Sequence, residues 1–208
     1  MSTVSRKERE KLARKEAIMD KAKKIFFEKG FQTTTMDQIA KAAELSKGTL
    51  YLYFPTKEEL YVSILLEGIE LLHDNFKKAI RGVKGWDAKL RKIGEAYYHF
   101  YRDHKNYFQI LFIFHHGEIA TKISDSIYQT CLDRGALCLG VLYNIIEKGI
   151  SAGEIQGKNA MEIAVVLWGA LTGIILIHEN EDRQMITIPL ENLIRTSFDI
   201  LIEGLRRH

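Results

Sequence analysis

Thr35-Met36-Asp37-Gln38-Ile39-Ala40-Lys41-Ala42-Ala43-Glu44-Leu45-Ser46-Lys47-Gly48-Thr49-Leu50-Tyr51-Leu52-Tyr53-Phe54-Pro55 is the stretch on which the fold turns. Thr35, with Gln38 three residues on, reads as a capping box: the hydroxyl caps free helix amides while the Gln38 side chain reaches back. Met36, Ile39, Ala40 and Ala43 then recur at helical spacing and mark one inward face. Glu44-Leu45-Ser46 is a tight turn, and a short second helix follows as far as Phe54. Pro55 stops it, having no amide hydrogen to continue the ladder. Leu50 and Phe54, four apart, anchor that helix on one side. Two short helices joined by a tight turn, with an alanine at the crossing and a leucine plugging the turn, make a helix-turn-helix.

The pattern continues in both directions. Upstream, residues 12–29 place Ile18, Ala22, Ile25 and Phe26 on one face, and Gly30 supplies a helix stop. Downstream, Thr56-Lys57-Glu58-Glu59 reads as a second capping box, opening a long helix with Leu60, Ile64, Leu65, Ile69, Leu72, Phe76 and Ile80 at 3–4 spacing. Further helices are expected near residues 87–103, 106–115, 119–152, 160–179 and 189–207, with connections at 153–157 and 180–188. No stretch alternates with period two, and the chain has only two prolines. The fold class is therefore all-α with about nine helices. Residues 1–57 form a head and residues 58–208 a larger C-terminal domain.

Charge separates the same two parts. Residues 1–57 hold 13 Lys+Arg against 7 Asp+Glu, and the rest hold 17 against 20. A basic head on a mildly acidic body either attracts polyanions, nucleic acid foremost, or is a solvated surface that happens to be basic. In a helix-turn-helix the second helix lies in the major groove with its N-terminal residues towards the base edges. Here Ser46, Lys47 and Thr49 are donors at that end, and Gly48 lets backbone come close. Tyr51 and Tyr53 offer hydroxyls to phosphate, and Lys57 adds a charge beside another helix start. The arm Arg6, Lys7, Arg9, Lys11, Arg14 and Lys15 could add phosphate contacts or form a solvated terminus.

Residues 10–60 resemble the DNA-binding domain of the TetR family of transcriptional regulators. The likeness is carried by Ala22, Phe26, Gly30, Phe31, Thr34, Thr35, Ile39, Ala40, Ala43, Ser46, Gly48, Thr49, Tyr51, Tyr53, Phe54, Lys57, Leu60 and Tyr61. It implies DNA-binding residues at Thr34, Thr35, Ser46, Lys47, Gly48, Thr49, Tyr51, Tyr53 and Lys57. It also implies a homodimer through residues 160–179 and 189–207 on a pseudo-palindromic double-stranded operator, with half-sites ~34–36 Å apart. The family default is a repressor released when a small molecule binds the C-terminal domain.

The C-terminal part carries weaker signals. Eight of the 21 aromatics fall between Tyr97 and Phe114, a density that either fills a helical core or lines a cavity for a small apolar or aromatic effector. The candidates for such a lining are Tyr97, Tyr101, Phe108, Phe112, His115, Tyr128, Cys131, Leu132 and Trp168. His115 and His116 point about 100° apart on a helix and do not share one ion, so no metal or other cofactor is expected. Cys131 and Cys138 lie on one helix face, too far apart for a disulfide, and read as small buried hydrophobes. The apolar run 163–177 is shorter than the ~18–20 residues that span a bilayer, so it reads as core and subunit interface, with no membrane. Residues 1–16 are polar and basic with no apolar core, so no signal peptide is expected and the protein is expected to be cytoplasmic. Catalytic signatures of hydrolases, metalloproteases and nucleotide-binding folds are missing from the sequence, which argues against an enzyme. A helical partner-binding adaptor without DNA affinity remains the alternative.

Overall fold

The computed structural model describes residues 6–116, 118–157, 159–179 and 187–206. The side chains of residues 112–118 and 120 lie outside what is described, and with them two of the candidate effector contacts, Phe112 and His115. Nine α-helices occur among the described residues: α1 (Arg6–Lys29), α2 (Met36–Ala42), α3 (Lys47–Tyr53), α4 (Lys57–Ala79), α5 (Trp86–Asp103), α6 (Lys105–His116), α7 (Asp125–Ser151), α8 (Ala160–Glu179) and α9 (Leu190–Leu205). A short 3-10 helix, Glu118–Lys122, precedes α7, and a single bridge joins Ile155 to Arg206. The all-α architecture is as the periodicity implies.

Two helix ends differ from the sequence reading. The first helix starts at Arg6 rather than near residue 12, so the basic arm is helical, with Arg6 Nε 2.8 Å from Glu10 Oε1. The helix expected over 119–152 is divided, because the Ser124 carbonyl accepts from the amides of both Ile127 and Tyr128 and starts α7 afresh. Ser and Asp side chains favour such starts over helix interiors.

The helices group into two compact units: residues 1–68 with 106–131, and residues 69–105 with 132–208. In the first unit, α1 buries Ile18, Ala22 and Phe26, and α2 buries Met36, Ile39 and Ala40. Tyr61 of α4 closes that core, its ring 5.0 Å edge-on from Phe26 and 4.7 Å from Phe31. Gly30, at φ 80°, ends α1 in the left-handed region that glycine alone enters freely.

In the second unit, α5 and α9 pack along stripes at 3–4 spacing: Trp86, Leu90, Ile93, Gly94, Tyr97 and Phe100 on one, Leu190, Ile194, Phe198 and Ile202 on the other. The approach is close enough that a Cβ on Gly94 would sit 2.8 Å from the Phe198 ring. α8 buries Ala164, Leu167, Leu171 and Ile175, yet leaves Met161, Val165, Val166 and Ile177 exposed. With 20 residues and a mean hydropathy of 2.2, α8 is long and apolar enough to cross a membrane by length and composition.

Candidate nucleic-acid interface

The turn between α2 and α3 is built by backbone. Leu45 N donates to Ala40 O at 2.9 Å, and Glu44 takes a left-handed conformation at φ 56° to reverse the chain. Thr35 caps α2 with both halves of the box in place: Gln38 N donates to Thr35 Oγ1 at 3.3 Å, and Thr35 N donates to Gln38 Oε1 at 3.1 Å. Ser46 caps α3 by accepting from Thr49 N at 3.1 Å, and its hydroxyl also lies 2.8 Å from the Thr49 hydroxyl. α3 is therefore held by its cap at one end and by Leu50 and Phe54, both buried, at the other.

The remaining side chains of α3 are exposed or half-buried. Ser46, Lys47 and Gly48 are exposed, Thr49 and Tyr53 are half-buried, and Tyr51 is 39% exposed. Leu52, which the sequence reading passed over, is 80% exposed. Its position off the Leu50/Phe54 face was the available signal, and an exposed methyl-bearing side chain on such a helix suits contact with a thymine methyl. A built Cβ on Gly48 would meet only Ser46 Oγ, at 3.9 Å, so this glycine leaves open space against an approaching surface. Lys47 Nζ lies 2.7 Å from Asp37 Oδ1, with both side chains exposed. That carboxylate holds the Lys47 pKa above the ordinary lysine value and is the partner a phosphate would displace.

Two candidates are placed differently. Thr34 is 1% exposed and its hydroxyl donates to Gly30 O at 2.7 Å, which takes this side chain off the surface. Lys57 turns inward: its ammonium donates to Phe31 O and Thr34 O, both at 2.9 Å, and sits 4.3 Å from the Phe31 ring centre. The two side chains pin the loop between α1 and α2. Thr56 starts α4 by accepting from Glu59 N at 3.0 Å.

The aromatic candidates for an effector site fall in both units and are largely packed. In the first unit Phe108 and Cys131 are buried, while Tyr128 is exposed. Burial pushes the Cys131 thiol up to about 11, which keeps it protonated and unreactive at neutral pH. In the second, Tyr97 is fully buried, 5.4 Å from Trp168 and 6.3 Å from Phe76 between ring centres, with its hydroxyl 3.0 Å from that of Thr172. Tyr101 donates to Glu179 at 2.9 Å, and Leu132 is exposed. A groove of about 620 Å³ in the second unit is lined by a different set of residues, including His73, Lys77, Trp86, Gly140 and Lys148.

Residues 18–64 match the family model for bacterial regulatory proteins of the tetR family. YhgD of Bacillus subtilis, an uncharacterized HTH-type transcriptional regulator, is 29% identical over 143 residues, which cover 69% of this chain and 72% of YhgD. Other curated relatives are matched over less than half of their own length. Among solved structures, the TetR family regulator PfmR of Thermus thermophilus superposes with a TM-score of 0.70 at 23% identity, over 91% of this chain and 99% of PfmR. FadR of Bacillus subtilis, solved in complex with stearoyl-CoA, has a TM-score of 0.73 at 20% identity, over 92% and 99%.

Proposed function

Since the chain belongs to the TetR family of transcriptional regulators and carries its DNA-binding helix-turn-helix, we propose that it is a repressor acting as a homodimer, released from its operator by a small molecule. Residues 1–57 read the DNA and residues 58–208 bind the effector and the second subunit. The observation that carries this reading is the outward end of α3. Its cap fixes the backbone, Lys47, Gly48 and Tyr51 are exposed, and Thr49 is half-buried beside them. Lys47 and the tyrosine hydroxyls take phosphates, while Leu52 and Thr49 face base edges.

The homodimer rests on α8 and α9. Met161, Val165, Val166 and Ile177 leave an apolar face on α8 that its own unit does not cover, and a second copy of α8 and α9 buries it as a four-helix bundle. That cover, rather than a bilayer, accounts for the hydropathy of α8, and it fits a cytoplasmic protein. The effector acts by preferring the conformation that does not fit the operator, and only that difference in affinity moves the equilibrium. α4 is one unbroken helix from Lys57, at the head, to Ala79, so a ligand touching its C-terminal half can act on its start. The stearoyl-CoA bound by FadR supports an effector with a long apolar part. The Tyr97–Trp168–Phe76 cluster is packed shut, so such an effector either opens it or lodges elsewhere.

Fluorescence anisotropy with DNA from upstream of the chain's own gene tests the reading. Saturable binding to a pseudo-palindrome, weakened by Lys47→Ala and by Tyr51→Ala, is expected. A protein that binds no site there overturns it in favour of a partner-binding adaptor, and binding as a monomer overturns the homodimer.

A further inference from the structure

The groove in the second unit is amphipathic. Its floor is apolar, made by Trp86 at the start of α5 and by Leu137, Val141 and Ile145 of α7. Its lining also carries three ammonium groups, Lys77 from α4, Lys89 from α5 and Lys148 from α7, against the single carboxylate of Glu154. None of the three lysines holds a carboxylate among the described residues, whereas Arg91, Arg134 and Arg206 of the same unit each do. α5 begins beside the groove at Trp86, and the Asp87 carboxylate in its first turn is already taken, accepting from Ala88 N at 2.8 Å and pairing with Arg206, so the positive charge of this wall comes from the lysines. The volume falls within the ~300–1,000 Å³ of small-molecule sites.

Unpaired cations over an apolar floor are complementary to one class of molecule. We infer that this groove binds an amphiphilic anion, an acyl chain ending in a carboxylate. The chain lies along Trp86, Leu137 and Val141, and the head group lies among Lys77, Lys89 and Lys148. Gly140 makes the room: a Cβ built there meets no heavy atom within 4 Å, so the space above it is the groove itself. As an effector site this inference deepens the regulator reading and rests on it, but the binding stands or falls without DNA.

Decanoate, decanol and inorganic phosphate separate the contributions of chain and charge. Titration into the DNA-free protein, followed by calorimetry and by Trp86 fluorescence in a Trp168→Phe background, should show saturable decanoate binding. Decanol should bind at least about tenfold more weakly and phosphate not measurably. Lys77→Gln with Lys148→Gln should weaken decanoate by about five- to tenfold and leave decanol unchanged, as loss of two solvent-exposed charge contacts requires. Gly140→Leu should abolish binding while the helical circular dichroism and melting temperature are kept. Equal affinity for decanoate and decanol, or full decanoate binding by Gly140→Leu, would overturn the inference. Failure to bind any operator would instead sink the regulator reading and leave this site in place.

Discussion

Lys57 offers the sharpest test of how the head is held together. Its ammonium makes two hydrogen bonds of 2.9 Å to Phe31 O and Thr34 O and sits over the Phe31 ring. Lys57→Met keeps the aliphatic stem and removes the charge. A hydrogen bond to a charged group contributes ~1.5–3 kcal/mol where desolvated, and water can replace part of that at a half-buried site, so the pair is taken at ~2 kcal/mol. The cation–π contact adds about 0.5–1 kcal/mol. The total, roughly 3 kcal/mol, corresponds to about two decades in the local opening equilibrium, since each ~1.4 kcal/mol is tenfold. Hydrogen exchange followed by mass spectrometry should therefore show amides of the 30–40 region exchanging about a hundredfold faster in Lys57→Met, with helices of the second unit unchanged. Unaltered protection across that region would refute the clamp. The salt dependence of DNA binding then separates a further role. A slope reduced by ~0.9 adds a phosphate contact for the remaining donor, and an unchanged slope confines Lys57 to holding the loop.

Other outcomes follow from the same geometry. Asp37→Asn frees Lys47 from its 2.7 Å partner and removes a negative charge beside α3, so operator affinity in an anisotropy titration should rise a few-fold; unchanged or weaker binding would place Lys47 away from phosphate. Gly68→Ala puts a Cβ 2.7 Å from Tyr107 Cδ1 and should cost about 1–3 kcal/mol in urea unfolding, partly recovered by adding Tyr107→Ala; a neutral single substitution would show that α4 and α6 yield there. Burial raises Tyr97 from the ordinary 10 to about 12, and burial together with the Glu67 hydrogen bond does the same for Tyr107. Both groups have a higher pKa folded than unfolded, so the stability they contribute is complete below pH 10 and is lost as pH climbs from 10 to 12. Tyr97→Phe should flatten that alkaline fall in thermal melts, and an identical pH profile would contradict the assigned burial.

Helices, caps and the helix-turn-helix were legible in the sequence because each depends on residues close together in the chain. Thr35 and Gln38 are three apart, Leu50 and Phe54 four apart, and the α5 and α9 stripes repeat every three or four residues; such spacing dictates local hydrogen bonding and one buried face. The candidate reading surface of α3 follows from the same local periodicity. What only the tertiary structure decided is which groups meet across distant segments. Thr34 and Lys57 look like surface donors until the loop after α1 folds under them and offers carbonyls. Tyr97 looks like a ligand contact until Trp168, Phe76 and Thr172 close on it from two other helices. Lys77, Trp86, Gly140 and Lys148 carry no joint signal along the chain, and they share a groove only because α4, α5 and α7 converge. Local chemistry sets the elements; long-range packing, which carries no periodicity to read, assigns the side chains their partners.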